Sequence, residues 1–185
     1  NQGFSSLPKT QRITTNRSMI KRTFKERGIE YAAELALQNL RDLHTILEWN
    51  LKHDIYFYRL SSDIIPWASE YDLTDMPNFG AIHAAALKAG NFARKHGMRL
   101  TSHPGPFNKL ASPKERVFEL TKTDLSVHGD LFDLMGLPRT PYAKLNIHVG
   151  AAYGDKPFAL DNFCRNFERL PENVRARLTV ENDDK

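Results

Sequence analysis

The sequence predicts an α/β fold, a partial TIM-type (β/α)8 barrel of about four βα units. Three observations carry that prediction. Short strand-like segments alternate with helices of ten or more residues; each strand is apolar on one face only; and the polar faces end in histidine or glutamate. Alternating βα units imply a parallel sheet with right-handed crossovers. At 185 residues, the chain is expected to form one domain.

Residues 1–19 are rich in Ser, Thr, Asn, Gln and basic residues with little periodicity, and are expected to form a surface loop. From about Gly28, the helical spacing of Ala36, Leu40, Leu43 and Leu47 predicts a long helix ending near His53. The aromatic and branched run from Ile55 to Leu60 follows as a strand. A second helix through Ile82, Ala86 and Ala89 stops at Gly97, before the strand Met98 to His103. Ser112-Pro113-Lys114-Glu115 has the form of a capping box. The helix it opens is expected to carry Val117, Leu120, Val127, Leu131 and Leu134. The strand Ala143 to His148 comes next, then a helix with Leu160, Phe163, Phe167 and Leu170 leading to Leu178-Thr179-Val180-Glu181.

The side chains of a strand alternate between faces. Lys144, Asn146 and His148 therefore oppose Leu145 and Ile147, while Arg99, Thr101 and His103 oppose Leu100 and Ser102. Arg177, Thr179 and Glu181 oppose Leu178 and Val180, and Tyr56, Tyr58 and Leu60 oppose Arg59 and Ser61. A doubly wound sheet, covered by helices on both faces, favours strands that are apolar throughout. One polar face per strand fits a barrel, whose helices all lie outside and whose polar groups gather at the C-terminal mouth.

Lys and Arg number 26 against 22 Asp and Glu, a formal charge of +4 that gives a pI near 9.2. That balance suits a polyanionic partner without demanding one. The single cysteine, Cys164, excludes an internal disulfide, and no Cys-x-x-Cys pair offers structural zinc or redox chemistry. No apolar run approaches the ~20 residues that span a bilayer, and no membrane association is expected.

His103, His148 and Glu181 each close a strand on its polar face, where barrel enzymes place catalytic groups. Neutral imidazole and carboxylate together suit manganese, zinc or iron. A lone histidine at a strand end more often just hydrogen-bonds a neighbouring loop. Shared phase and shared position in all three favour a site. His103-Pro104-Gly105 forms a rigid turn, Gly150 and Gly154 bracket another, and Glu181-Asn182-Asp183-Asp184 packs three carboxylates into four residues. His44, His83, His96 and His128 fall in predicted helices or at a helix end and are expected to pack or face solvent. His53 falls at the opposite, stability end of the barrel.

Several of these segments together resemble one family, the UV damage endonucleases. They are Thr14-Thr15-Asn16-Arg17, the stretch from Ala36 to Asn50, Tyr58-Arg59-Leu60-Ser61-Ser62 with Ile65-Pro66-Trp67-Ala68-Ser69, His103-Pro104-Gly105, His148 to Gly154 and Glu181 to Asp184. The resemblance implies that the chain is the N-terminal portion of a TIM-barrel DNA repair nuclease. Such enzymes cut the damaged strand immediately 5′ of UV photoproducts or abasic sites, leaving a 3′-hydroxyl and a 5′-phosphate. It implies His103, His148 and Glu181 as catalytic metal ligands for manganese, with zinc or magnesium as alternatives. Glu70 stands where the family commonly has another histidine ligand, and Pro106 and Phe107 stand where it often has a Gln-Tyr pair that probes the lesion. Asn16, Arg17 and Tyr153 are the further DNA contacts implied.

The implied partner is damaged double-stranded DNA, with no obligate protein partner evident. The implied location is intracellular: cytoplasmic in a bacterium, nuclear or mitochondrial in a eukaryote. The remaining ligands of the family belong to strands after Glu181, so residues 1–185 alone are expected not to nick DNA. Two other readings stay open: a metal-dependent TIM-barrel sugar isomerase, and a non-catalytic DNA-binding fragment whose binding would fall steeply with salt.

Overall fold

The computed structural model describes residues 12–182. The predicted loop is thus seen from Arg12 onward; residues 1–11, Asp183 and Asp184 lie outside the described residues. Helix α1 spans Lys21–Lys52, strand β1 Phe57–Leu60, helix α2 Phe79–Lys95 and strand β2 Arg99–Ser102. Helix α3 spans Glu115–Leu134, strand β3 Leu145–His148, helix α4 Lys156–Glu168, the short helix α5 Glu172–Arg175 and strand β4 Leu178–Glu181. The strands lie in one sheet in the order β1-β2-β3-β4. β2 pairs β3 in parallel through Ser102 and Leu145, and β3 pairs β4 in parallel over its whole length. Sequential order with helical crossovers is the construction of a partial (β/α) barrel. Among the described residues no helix is long and apolar enough to cross a membrane.

The chain divides into two compact units, Asn1–Leu100 with Leu134–Leu137, and Thr101–Asp133 with Pro138–Lys185. In the first, α1 buries Ala32, Ala33, Ala36, Leu40, Leu43, Ile46 and Leu47. α2 buries Ile82, Ala86, Ala89 and Ala93, and Leu60 and Leu100 are buried on their strands. The apolar stripes read from the sequence are therefore the packed faces. The boundary of α1 is different: the helix runs from Lys21 through a break at Gly28, where φ is 66° and ψ −163°. Only glycine adopts that backbone cheaply, so the residue expected near the helix start is a kink within it. Gly90 of α2 lies so close to Met135 that an added Cβ would sit 1.8 Å from the Met135 carbonyl oxygen.

In the second unit, β3 buries Leu145 and Ile147 while Asn146 and His148 stay partly exposed, as alternation requires. Two helical stripes turn out differently. α3 packs through Phe118, Leu125, Leu131, Phe132 and His128, and Leu120 is exposed. His128 packs, as one of its two expected settings allowed: its Nδ1 lies 3.1 Å from Ser102 Oγ, both side chains being buried. α4 buries Ala159, Asn162 and Asn166 and leaves Leu160 exposed, because the Asn166 amide donates to the Leu110 carbonyl at 2.8 Å. A buried amide with its partner satisfied costs little, and that contact sets the rotation of α4. The expected capping box does not form: the helix starts at Glu115, Ser112 Oγ accepts from the Lys114 N–H at 3.2 Å in the turn before it, and the Glu115 carboxylate pairs with Arg169 instead.

Arg177, one residue before β4, has 0% of its surface exposed. Its guanidinium donates to the carbonyls of Pro138, Gly129 and Asn173 and pairs with Asp133 at 2.8 Å. Asp133 is also bound by Arg139 and Asn173. Burial pushes the Asp133 carboxyl up, but hydrogen bonds from Arg139, Arg177 and Asn173 outweigh it and hold the group below its ordinary 3.8.

Candidate metal centre

His103 follows the last residue of β2, His148 ends β3 and Glu181 ends β4, so three adjacent strands deliver the three side chains to one edge. His148 and Glu181 are register partners, which puts them side by side on the same face. One ligand atom from each of the three lies within 4.8 Å of the others. The two imidazole rings meet at 66° with centroids 5.2 Å apart. His103 and His148 are partly buried and Glu181 is exposed.

The hydrogen bonding of His103 defines what the group can hold. Its Nδ1 lies 3.2 Å from the Pro104 carbonyl oxygen, an obligate acceptor, so Nδ1 carries the proton. Its Nε2 lies 3.1 Å from Glu181 Oε2. A neutral ring has only one N–H, and here acceptors stand on both sides of it. A second proton or a cation between Nε2 and Oε2 satisfies the arrangement. A ring oriented through its distal N–H, with the other nitrogen facing a carboxylate and a second imidazole, is a common donor set for a divalent metal. The His103 contact holds the Glu181 carboxyl below its ordinary value; burial opposes this, and the nearby imidazoles and the Asn146 amide reinforce it.

Asn146 was visible in the sequence only as a polar-face neighbour of His148. Its Nδ2 donates to Glu181 Oε2 at 2.8 Å, and its Oδ1 accepts from Thr179 Oγ1 at 2.8 Å. The signal that could have found both residues is their phase: Asn146 is two residues before His148, Thr179 two before Glu181, and the two are register partners.

The other residues singled out in the sequence are placed as follows. Pro106 and Phe107 sit on the turn after His103, with Phe107 88% exposed. That turn is clamped from beneath by buried Asn108, whose amide donates to the Gly105 carbonyl at 2.9 Å and to Asp124 of α3 at 2.7 Å. Tyr153 is 45% exposed on a loop where it, Gly150 and Gly154 all have positive φ. A left-handed non-glycine residue costs about 1 kcal/mol, so Tyr153 is held where it is by its neighbours.

Asn16, Arg17 and Glu70 belong to the first unit. Asn16 is exposed and accepts a hydrogen bond from the Thr14 hydroxyl. Arg17 pairs with Asp42 of α1 at 2.6 Å and donates to the carbonyls of Thr14 and Arg12. Buried Asn39 holds the Arg17 backbone at both N–H and C=O. The Arg17 side chain therefore shapes the loop that presents Asn16. Glu70 is exposed at the end of a short 3₁₀ turn, Ala68–Glu70. Trp67, immediately before that turn, is left-handed, stacks on Phe24 at 5.4 Å and donates its indole N–H to the Met19 carbonyl.

The chain is similar to known proteins along nearly its whole length. The family model described as UV-endonuclease UvdE matches residues 5–185. A protein named UV-damage endonuclease from Schizosaccharomyces pombe is 36% identical over 94% of this chain and 29% of its own length. One named UV DNA damage endonuclease from Clostridium perfringens is 32% identical over 99% of this chain and 43% of its own. The crystal structure of SacUVDE superposes with a TM-score of 0.81 at 34% identity, over 92% of this chain and 56% of that one. The chain thus spans about half or less of the length of these relatives. The α/β barrel-type fold, its strand-end histidines and the match along nearly every residue agree: the chain belongs to the UV-endonuclease UvdE family.

Proposed function

We propose that this chain is the N-terminal portion, one domain over residues 1–185, of a metal-dependent DNA repair endonuclease. The enzyme nicks the damaged strand immediately 5′ of UV photoproducts or abasic sites. The observation that carries the reading is the convergence of His103, His148 and Glu181 within 4.8 Å at the ends of three adjacent strands, in a member of a UV-endonuclease family.

His103, His148 and Glu181 would hold a divalent cation, most readily manganese, with Glu70 a further candidate ligand. Such an ion, when bound, neutralises charge developing on the attacked phosphate and helps activate water. The chain's own residues do the positioning. The Pro104 carbonyl keeps the His103 ring in one tautomer, and Asn108 holds the turn that projects Phe107. An exposed aromatic ring on a clamped turn suits insertion between base steps, which a lesion has already weakened. Asn16, Arg17, Tyr153 and Pro106 complete the proposed DNA contacts, and the positive balance of the chain assists approach to the duplex. Hydrolysis breaks one phosphodiester P–O bond and leaves a 3′-hydroxyl and a 5′-phosphate.

The test incubates the full-length protein with UV-irradiated and unirradiated supercoiled plasmid, with manganese and with chelator. Manganese-dependent relaxation of the irradiated plasmid alone is expected, and none from residues 1–185 by themselves. Equal cutting of both plasmids, or none by the full-length protein, would overturn the reading.

A further inference from the structure

Two polar side chains beside the three ligands make a relay that ends on Glu181. Asn146 and Thr179 are register partners on β3 and β4, and their side chains share the face that carries His148 and Glu181. Leu145 and Ile147, on either side of Asn146, are buried on the opposite face. The Thr179 hydroxyl donates to Asn146 Oδ1 at 2.8 Å, and Asn146 Nδ2 donates to Glu181 Oε2 at 2.8 Å. The direction of the amide follows from chemistry. Turned over, it would set its carbonyl oxygen against the carboxylate, two acceptors in contact.

The consequence falls on Glu181. Its side chain is 51% exposed, and a solvated glutamate at a strand end samples many rotamers, a freedom lost when it captures a cation. We infer that Asn146 is a positioning residue that holds the Glu181 carboxylate toward the imidazoles, with Thr179 fixing the Asn146 amide in the direction this requires. This inference rests on the metal-centre reading above and adds to it which residues set the affinity. Partners that orient metal ligands typically change metal affinity 10–100-fold when removed.

The test titrates Mn2+ into the full-length protein, follows the free aquated ion by electron paramagnetic resonance, and records the melting temperature with and without metal. Asn146→Ala should weaken the affected site about tenfold and shrink the metal-induced rise in melting temperature, leaving the metal-free melting temperature near that of the unsubstituted protein. Thr179→Val, close in shape but without a hydroxyl, should weaken binding in the same direction, and Thr179→Ser should restore it. Unchanged Mn2+ affinity in Asn146→Ala, or equal affinities for the Val and Ser variants, would overturn the positioning role and leave the metal centre standing. A fall in metal-free stability that accounts for the whole effect would also overturn it. Failure of the unsubstituted protein to bind Mn2+ would overturn the metal centre, and this inference with it.

Discussion

His103 Nε2 stands 3.1 Å from Glu181 Oε2, joining the ends of β2 and β4 beside His148 of β3. The Pro104 carbonyl takes the other ring nitrogen, so the face that His103 turns to the carboxylate is the one suited to a cation.

His148 is the third donor of this group. His148→Ala removes one nitrogen ligand and should lower the manganese or zinc content of the full-length protein, read by elemental analysis after dialysis. Full occupancy in that variant would remove His148 from the ligand set.

Among the described residues Phe107 is the most exposed of the large apolar side chains, and the turn beneath it is pinned by Asn108. Phe107→Ala should reduce the preference for damaged over intact duplex about tenfold, since stacking on a base is worth ~1–3 kcal/mol. Competition binding with irradiated and plain oligonucleotides measures that ratio. An unchanged ratio would mean the ring never enters the helix.

Asp133 gathers Arg139, Arg177 and Asn173 and titrates below its ordinary range. A carboxyl whose folded value is depressed contributes stability above the unfolded value. That contribution is lost as pH falls through the folded one. Asp133→Asn should therefore cost about 2 kcal/mol at pH 7. The difference should begin to shrink below about pH 4, where the unfolded aspartate takes up a proton, and should close only as pH falls past the depressed folded value. Urea denaturation at pH 7 and pH 3 gives both values; a gap that widens in acid would contradict the argument.

Gly90 is in mid-helix, where alanine would ordinarily favour the helix by ~1 kcal/mol. Here the added methyl would collide with the Met135 backbone. Gly90→Ala should destabilise the protein by about 2 kcal/mol net, seen as a lowered thermal midpoint. A stabilised variant would show that the backbone yields.

Local pattern was enough for the alternation of elements. The stripes of α1 and α2 and the phase of β3 depend only on spacing, and spacing survives folding. The same phase aligned His103, His148 and Glu181 before any contact was known. On two helices spacing pointed the wrong way: α4 exposes Leu160 and buries Asn166, and α3 exposes Leu120 and buries Phe118 and Thr121.

The sequence by itself determined the βα order, the alternation of faces on β3 and the strand-end positions of His103, His148 and Glu181, because each follows from one-dimensional periodicity; on β4 the apolar face is not covered, Val180 being 50% exposed. The tertiary structure alone decided the rest, because each case depends on a partner distant in the chain. Asn166 is buried because the Leu110 carbonyl meets it 56 residues away, and Arg177 because Asp133 and three carbonyls enclose it. Glu181 is steered by an amide 35 residues earlier, which is itself held by Thr179. A buried polar group is stable only with its partner in place, and which partner that is depends on how the chain folds back on itself.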